Sequence, residues 1–320
     1  MRKSYSSALA VVAFLALVVS LSAQQTPINP KAVALLHWFP ANLTTSFEVG
    51  EHPAQVASDG ANIWVAIAGD LVHNGTVIKM RASDGAILGT FPTGQWPTAV
   101  AFDGANIWVA NQYSASVTKL RASDGATLGT FTVGTYPECL AFDGANIWMT
   151  TLSDGSVTKL RASDGVNLGT FYVGYAAWGV AFDGSNIWVA SWWNNNVTKL
   201  RASDGANLGS FPVGSAPRHV IFDGANIWSA NADSNNVTKL RGSDGANLGT
   251  FTVGLGPQGL AFDGANVWVT NCGTSTVSKL RASDGANLGT FSPGSNPCGI
   301  GFDGANIWVA IWDTGTVAKM

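Results

Sequence analysis

Charge is scarce in this chain. Asp, Glu, Lys and Arg supply 12% of its 320 residues, and the formal net charge is −3. A weakly acidic balance of this kind excludes the basic stripe of a nucleic-acid-binding protein. Histidine occurs four times and cysteine three times. Three cysteines cannot build a disulfide scaffold, and no C-x-x-C pair offers a zinc site. There is no phosphate-binding loop, no dinucleotide fingerprint and no Ser-His-Asp order. Long apolar runs are also missing. Ala8 to Leu21 is nearly unbroken but falls short of the roughly 20 residues needed to cross a bilayer.

That short run has a different use. Arg2 and Lys3 precede it, and Ser20, Ser22 and Ala23 follow as small residues suited to cleavage. Residues 1–23 are therefore expected to be a secretory signal, placing the mature chain outside the cell, in a periplasm or on a cell surface. Residues 24–44 hold Pro27, Pro30 and Pro40 without periodicity and read as a linker.

What the chain has in abundance is glycine, 37 residues, and tryptophan, 13 residues. From residue 45 onward they fall into a repeat. Trp108, Trp148, Trp188, Trp228, Trp268 and Trp308 follow one another at 40 residues, and Trp64 stands 44 before the first of them. Each unit holds four strand-like pieces, written for the second as Val100–Phe102, Asn106–Ala110, Val117–Arg121 and Leu128–Val133. These are strands A to D. Asp103-Gly104 and Asp124-Gly125 join them in pairs, and Asp-Gly between β-rich runs marks a tight corner. The Asp ring lacks the dense oxygen ligands calcium needs, so turn chemistry is the expected role. Periods near 40 with several strands each point to a propeller. Strands A, B and C recur seven times but D follows only six of them. Ser46-Phe47-Glu48-Val49-Gly50 matches Thr130-Phe131-Thr132-Val133-Gly134 and supplies the missing strand. The expected fold is an all-β, seven-bladed propeller over residues 45–320, closed by an N-terminal strand that completes the last blade.

Units such as Pro257-Gln258-Gly259-Leu260-Ala261-Phe262-Asp263-Gly264, followed by Val267-Trp268-Val269-Thr270-Asn271, resemble the YVTN family of β-propeller repeats. The resemblance spans residues 45–320 and implies a surface-layer-like protein, similar also to NHL-repeat and virginiamycin B lyase-like propellers. A lyase of that kind places His and Glu around a magnesium ion. Here the strand-B motif runs on as Trp108-Val109-Ala110-Asn111, and no such cluster follows.

The charges mostly repeat with the fold. Thirteen of 20 acids sit in the Asp-Gly turns, and thirteen of the cations sit on strand C, as Lys119 and Arg121 do. A solvated outer edge is expected for those cations. The informative residues are those that do not repeat. At the start of strand A one register reads Ala54, Thr98, Glu138, Trp178, Arg218, Gln258 and Cys298, all different. Neighbouring positions add His52, Trp96, Tyr136, Tyr175, Gln55, Cys139 and His219. The B–C loops add His73, Tyr113, Trp192, Trp193, Asp233, Cys272, Trp312 and Asp313. Free drift of loops would favour Gly, Ser and Asn over Trp and Tyr.

These positions are expected to form a binding face, in a non-enzymatic protein acting as a monomer, for carbohydrate, peptide or a surface protein. Trp96, Tyr136, Tyr175, Trp178, Trp192, Trp193 and Trp312 would supply stacking area, with Glu138, Arg218, His219, Asp233 and Asp313 for polar orientation. No cofactor is expected. His219 and Glu138 are the candidate acid–base pair of an alternative metal-dependent lyase or hydrolase on the same face. A metal site from His52, His73, Asp233 and Asp313 is not demanded by their spacing. Cys272 and Cys298, on adjacent blades of an exported chain, are placed to form a disulfide, leaving Cys139 a free thiol.

Overall fold

Each forty-residue unit folds between its Asp-Gly corners as one four-stranded antiparallel sheet. The computed structural model describes residues 45–70 and 73–320; the expected signal (1–23) and linker (24–44) lie outside the described residues. Seven such sheets surround a central channel, with strands numbered here in chain order. The second blade consists of β6 (Pro97–Phe102), β7 (Asn106–Asn111), β8 (Ser116–Arg121) and β9 (Thr127–Thr132). Strand A begins three residues earlier than the sequence pattern indicates, because a bulge interrupts its pairing with β7 between Pro97 and Ala99. Among the described residues no helix is long and apolar enough to cross a membrane.

Closure follows the expected route. The chain's first described strand, β1 (Thr45–Glu48), pairs antiparallel with its last, β28 (Thr316–Lys319), in the register Thr45↔Lys319 to Glu48↔Thr316. The N-terminal strand is thus the outer strand of the seventh blade.

The Asp-Gly corner between strands A and B is a side-chain device rather than a metal site. Asp103 Oδ1 accepts from the backbone N–H of Ala105 (2.9 Å) and Asn106 (2.6 Å), and Oδ2 accepts from the indole Nε1–H of Trp108 at 2.8 Å. The same Asp-to-Trp bond recurs in all seven blades. Burial opposes ionisation of Asp103, yet the bonds from Trp108, Asn106 and the turn backbone outweigh it and hold the carboxyl below the usual range. A fully buried Trp therefore has its one polar atom satisfied, as a dry interior requires.

One sequence expectation fails here. The strand-C lysines do not line a solvated edge: Lys79, Lys119, Lys159, Lys199 and Lys239 are buried between blades. Lys119 Nζ lies 5.1 Å from the centre of the Trp108 ring and donates to the carbonyls of Ala162 (2.6 Å) and Ser163 (3.2 Å) on the next blade. A flexible stem threads the apolar junction while the ammonium meets a π face and two carbonyl dipoles. The strand-C arginines do face solvent and pair with the turn Asp, as Arg121 does with Asp124 at 2.8 Å. Such exposed pairs contribute little. Phe131 completes the junction by stacking on Trp108 with centroids 5.6 Å apart. Its ring also covers Gly165 in the next blade's C–D corner, where φ is +76° and a Cβ would stand 2.1 Å from that ring.

Six junctions carry this Trp–Lys–Phe clasp. The seventh, between the sixth and seventh blades, differs among the described residues. Lys279 keeps its place 4.6 Å from the Trp268 ring but has no carbonyl acceptor among the described residues. Phe291 is 39% exposed there, and Trp268 is 8% exposed where the other six repeat tryptophans are at 0%.

Candidate functional site

The bulge in strand A turns one residue of each blade toward the axis. Ala54, Thr98, Glu138, Trp178, Arg218, Gln258 and Cys298 accordingly converge, with Gln55, Cys139 and His219, around a neck of about 50 Å³. Sequence comparison between units finds this register, and the structure assembles it as one ring. Above the neck lies a cup of about 210 Å³ walled by Trp96, Trp178, Trp312, Gln112 and Glu138. That is smaller than the roughly 300–1,000 Å³ of drug-sized pockets, so it has room for one residue of a polymeric ligand.

The residue just before strand A carries a backbone constraint of its own. In all seven blades it lies in the left-handed region, at φ values of 54–61°: His52, Trp96, Tyr136, Ala176, Ala216, Gly256 and Asn296. Its carbonyl accepts from the first B–C loop residue, as Trp96 O does from the Gln112 N–H at 2.9 Å. Gly256 and Asn296 are what this conformation favours. Bulky His52, Trp96 and Tyr136 occupy it at a cost of roughly 1–2 kcal/mol each.

Those three rings join an aromatic arc along one side of the mouth. Trp312 and His52 have centroids 4.8 Å apart, Trp96 and Trp312 5.8 Å, Trp96 and Tyr113 5.5 Å, and Tyr113 and Tyr136 5.8 Å. Across the mouth stands a second cluster. Trp178 meets Trp192 edge-on at 5.5 Å, Trp192 meets Trp193 at 4.9 Å, and the Arg218 guanidinium lies 5.0 Å from the Trp178 ring. Trp193 is 70% exposed.

Three of the expected ligand residues sit elsewhere. Tyr175 pairs edge-on with Tyr172 at 6.0 Å, and Asp233 is exposed on its loop; neither lines the cup or the neck. Asp313 accepts from the Ser295 hydroxyl (2.7 Å) and the Asn296 amide (3.1 Å) in a separate surface hollow beside His52. Gln112 and Tyr172 were not singled out from sequence. Gln112 falls in a register reading Ala68, Gln112, Leu152, Trp192, Ala232, Cys272 and Trp312, so the same unit-by-unit comparison contains the signal.

Glu138 is the acid of the neck. Burial pushes its carboxyl up to about 7, against the 2.6 Å hydrogen bond from Gln112 and the charge of Arg218, both of which favour ionisation. Burial also pushes the His219 imidazole down to about 4. His219 Nε2 stands 3.5 Å from the Gln55 amide, and its Nδ1 is buried without a partner, as is Arg218 Nε.

The disulfide expected between Cys272 and Cys298 is not formed; all three cysteines are free thiols. Cys272 Sγ donates to Gln258 Oε1 (2.8 Å) and Pro297 O (3.2 Å), whereas Cys298 Sγ turns to Pro53 O (3.1 Å). Burial raises both thiols, to about 11 and about 12.

The donor set does not fit a lyase-type magnesium ion. Among the described residues no group of three His, Cys, Asp or Glu side chains is placed to hold a metal ion. His73 is turned outward to Asp70 at 2.7 Å, and His52 bonds the Gly69 carbonyl at 2.8 Å.

No protein-family model matches this chain, and no curated protein does. Solved structures do. A hydrazine synthase chain of Kuenenia stuttgartiensis superposes with a TM-score of 0.74 at 17% identity, covering 87% of this chain and 97% of that one. Virginiamycin B lyase from Staphylococcus aureus gives 0.73 at 15% identity over 87% and 98%. A streptogramin B lyase gives 0.72 at 16% over 87% and 96%. At these identities the likeness is one of fold, and propellers host unrelated functions.

Proposed function

We propose that this chain is an exported, monomeric, non-enzymatic binding protein whose cup takes a carbohydrate residue. One observation carries the reading. The backbone before strand A asks for Gly or Asn, as in Gly256 and Asn296, yet His52, Trp96 and Tyr136 hold bulky rings there, at one side of one mouth. Strain of that kind persists where a use maintains it. Sugar rings present flat C–H faces that stack on indole and phenol, and polar edges that suit Gln112, Gln258 and Glu138 at the floor.

The test is calorimetric titration of the folded chain with neutral and acidic oligosaccharides, with proline-rich peptides as the competing class. Saturable sugar binding is expected, weakened at least about tenfold by Trp96→Ala or Trp312→Ala, the weight of a lost aromatic contact. Binding by peptides alone would replace the ligand class. Unchanged binding in both variants would overturn the site. A chelator-sensitive bond cleavage lost in His219→Ala would favour the lyase alternative.

A further inference from the structure

We propose that the neck beneath the cup is an anion site for a single carboxylate, so that the sugar taken at this mouth is a uronate, seated carboxylate-first and held more tightly in acid. This rests on the carbohydrate reading above and adds the ligand's charge to it.

Donors in the neck outnumber its one carboxylate, Glu138. Arg218 lies against both Trp178 and Trp192, at 5.0 and 5.9 Å, and among the described residues no carboxylate lies within ion-pair distance of it. Its Nε is buried and unpartnered. His219 Nδ1 is the second orphan; with Nε2 facing Gln55, the ring proton falls to Nδ1 as a free donor. Gln258 spends its oxygen on the Cys272 thiol, which leaves its N–H groups available. Glu138 accepts from the Gln112 amide through one oxygen at 2.6 Å. A neck of about 50 Å³ accommodates a carboxylate or a few waters.

The titratable groups facing Glu138 are few. Arg218 and His219 come from the strand Pro217–Phe222, Cys139 is the next residue along Glu138's own strand, and Cys298 comes from the strand Pro297–Phe302; Cys272, outside the neck lining, is near Arg218 and Cys298. The thiols are raised to about 11 or 12 and His219 is lowered to about 4, so all four are neutral between pH 5 and 9. Arg218 and Glu138 then set the charge. Above about pH 7 Glu138 is ionised and the neck sums to zero; below it Glu138 is neutral and Arg218 stands alone. An entering carboxylate meets a repelling neighbour in the first case and none in the second.

Galacturonic acid and its neutral twin galactose, titrated at pH 5.5 and 8.5, test this. The acid is expected to bind about tenfold tighter than galactose at pH 5.5, the value of one charge-assisted hydrogen-bonded pair, and to lose most of that advantage at pH 8.5. Glu138→Gln should keep the preference at both pH values. Arg218→Met should abolish it, galacturonic acid and galactose then binding that variant equally at both pH values; circular dichroism checks that both variants fold. Equal affinity for acid and neutral sugar at pH 5.5 would overturn the anion site and leave the cup standing. Should neither sugar bind, acetate at pH 5.5 separates the two claims. A shift of the Arg218 15Nε resonance would keep the anion site and remove the sugar, and its absence would remove both.

Discussion

The junctions between blades and the mouth of the channel are built from the same forty-residue unit under opposite rules. At the junctions the same Asp, Trp, Lys, Gly and Phe recur, because every copy meets the same packing problem. At the mouth the copies diverge, and they do so even where the backbone prefers Gly or Asn. Repetition marks what the ring needs. Departure from it, at a cost, marks what the ring is for.

The largest test of the first half is closure. Removing residues 45–50 deletes β1, strips the outer pairing of the seventh blade, and takes Phe47 away from Trp308, 5.7 Å distant. Aggregation, or a loss of at least about 10 °C in Tm, is expected from the bared edge. A deletion that melts normally would refute the closure.

A smaller effect sharpens the contrast among junctions. Lys119→Met leaves two carbonyls of the next blade without their donor and should cost about 1–3 kcal/mol in denaturant unfolding. Lys279→Met, at the junction where the described residues offer Lys279 no carbonyl, should cost no more than about 0.5 kcal/mol. Equal losses would mean that the cation–π contact, not the carbonyl clasp, holds the blades.

The mouth has its own stability signature in pH. Glu138 ionises in the unfolded chain near its ordinary 4.5 but in the fold only near 7. Its contribution therefore falls as pH rises from 4.5 to 7, and the full cost persists above that. His219 runs the other way. The unfolded chain takes up that proton near 6.5 and the fold only near 4, so stability is full above 6.5 and drops on acidification through that window. Glu138→Gln removes the first contribution alone. It should raise Tm over the parent at pH 8 and match it at pH 4; a variant less stable at pH 8 would mean that Glu138 is a structural anion.

Much of this was legible in the sequence. The 40-residue period, the Asp-Gly corners and the displaced strand at Phe47 give the ring and its closure, since each is a local rule repeated. The strand-A register containing Glu138, Trp178 and Arg218 was legible too, because seven copies serve as one another's comparison. Lys119 was not. A lysine beside an arginine on a strand reads as solvated, and only the neighbouring blade's carbonyls and its own Trp reveal the burial. Nor was the left-handed backbone at Trp96 and Tyr136 readable, since no turn residue announces it there.

The most direct test of the central claim is to make the mouth repeat like the junctions. A variant carrying His52→Asn, Trp96→Asn and Tyr136→Asn copies the residue that Asn296 already places at that backbone position. The parent and the variant would be compared by melting and by calorimetric titration with galactose and galacturonic acid. The account predicts a Tm equal to or above the parent's, with saturable binding lost, because the rings cost stability and serve a ligand. A lower Tm with binding intact would contradict it, by showing that these aromatics hold the fold together and that the site lies elsewhere.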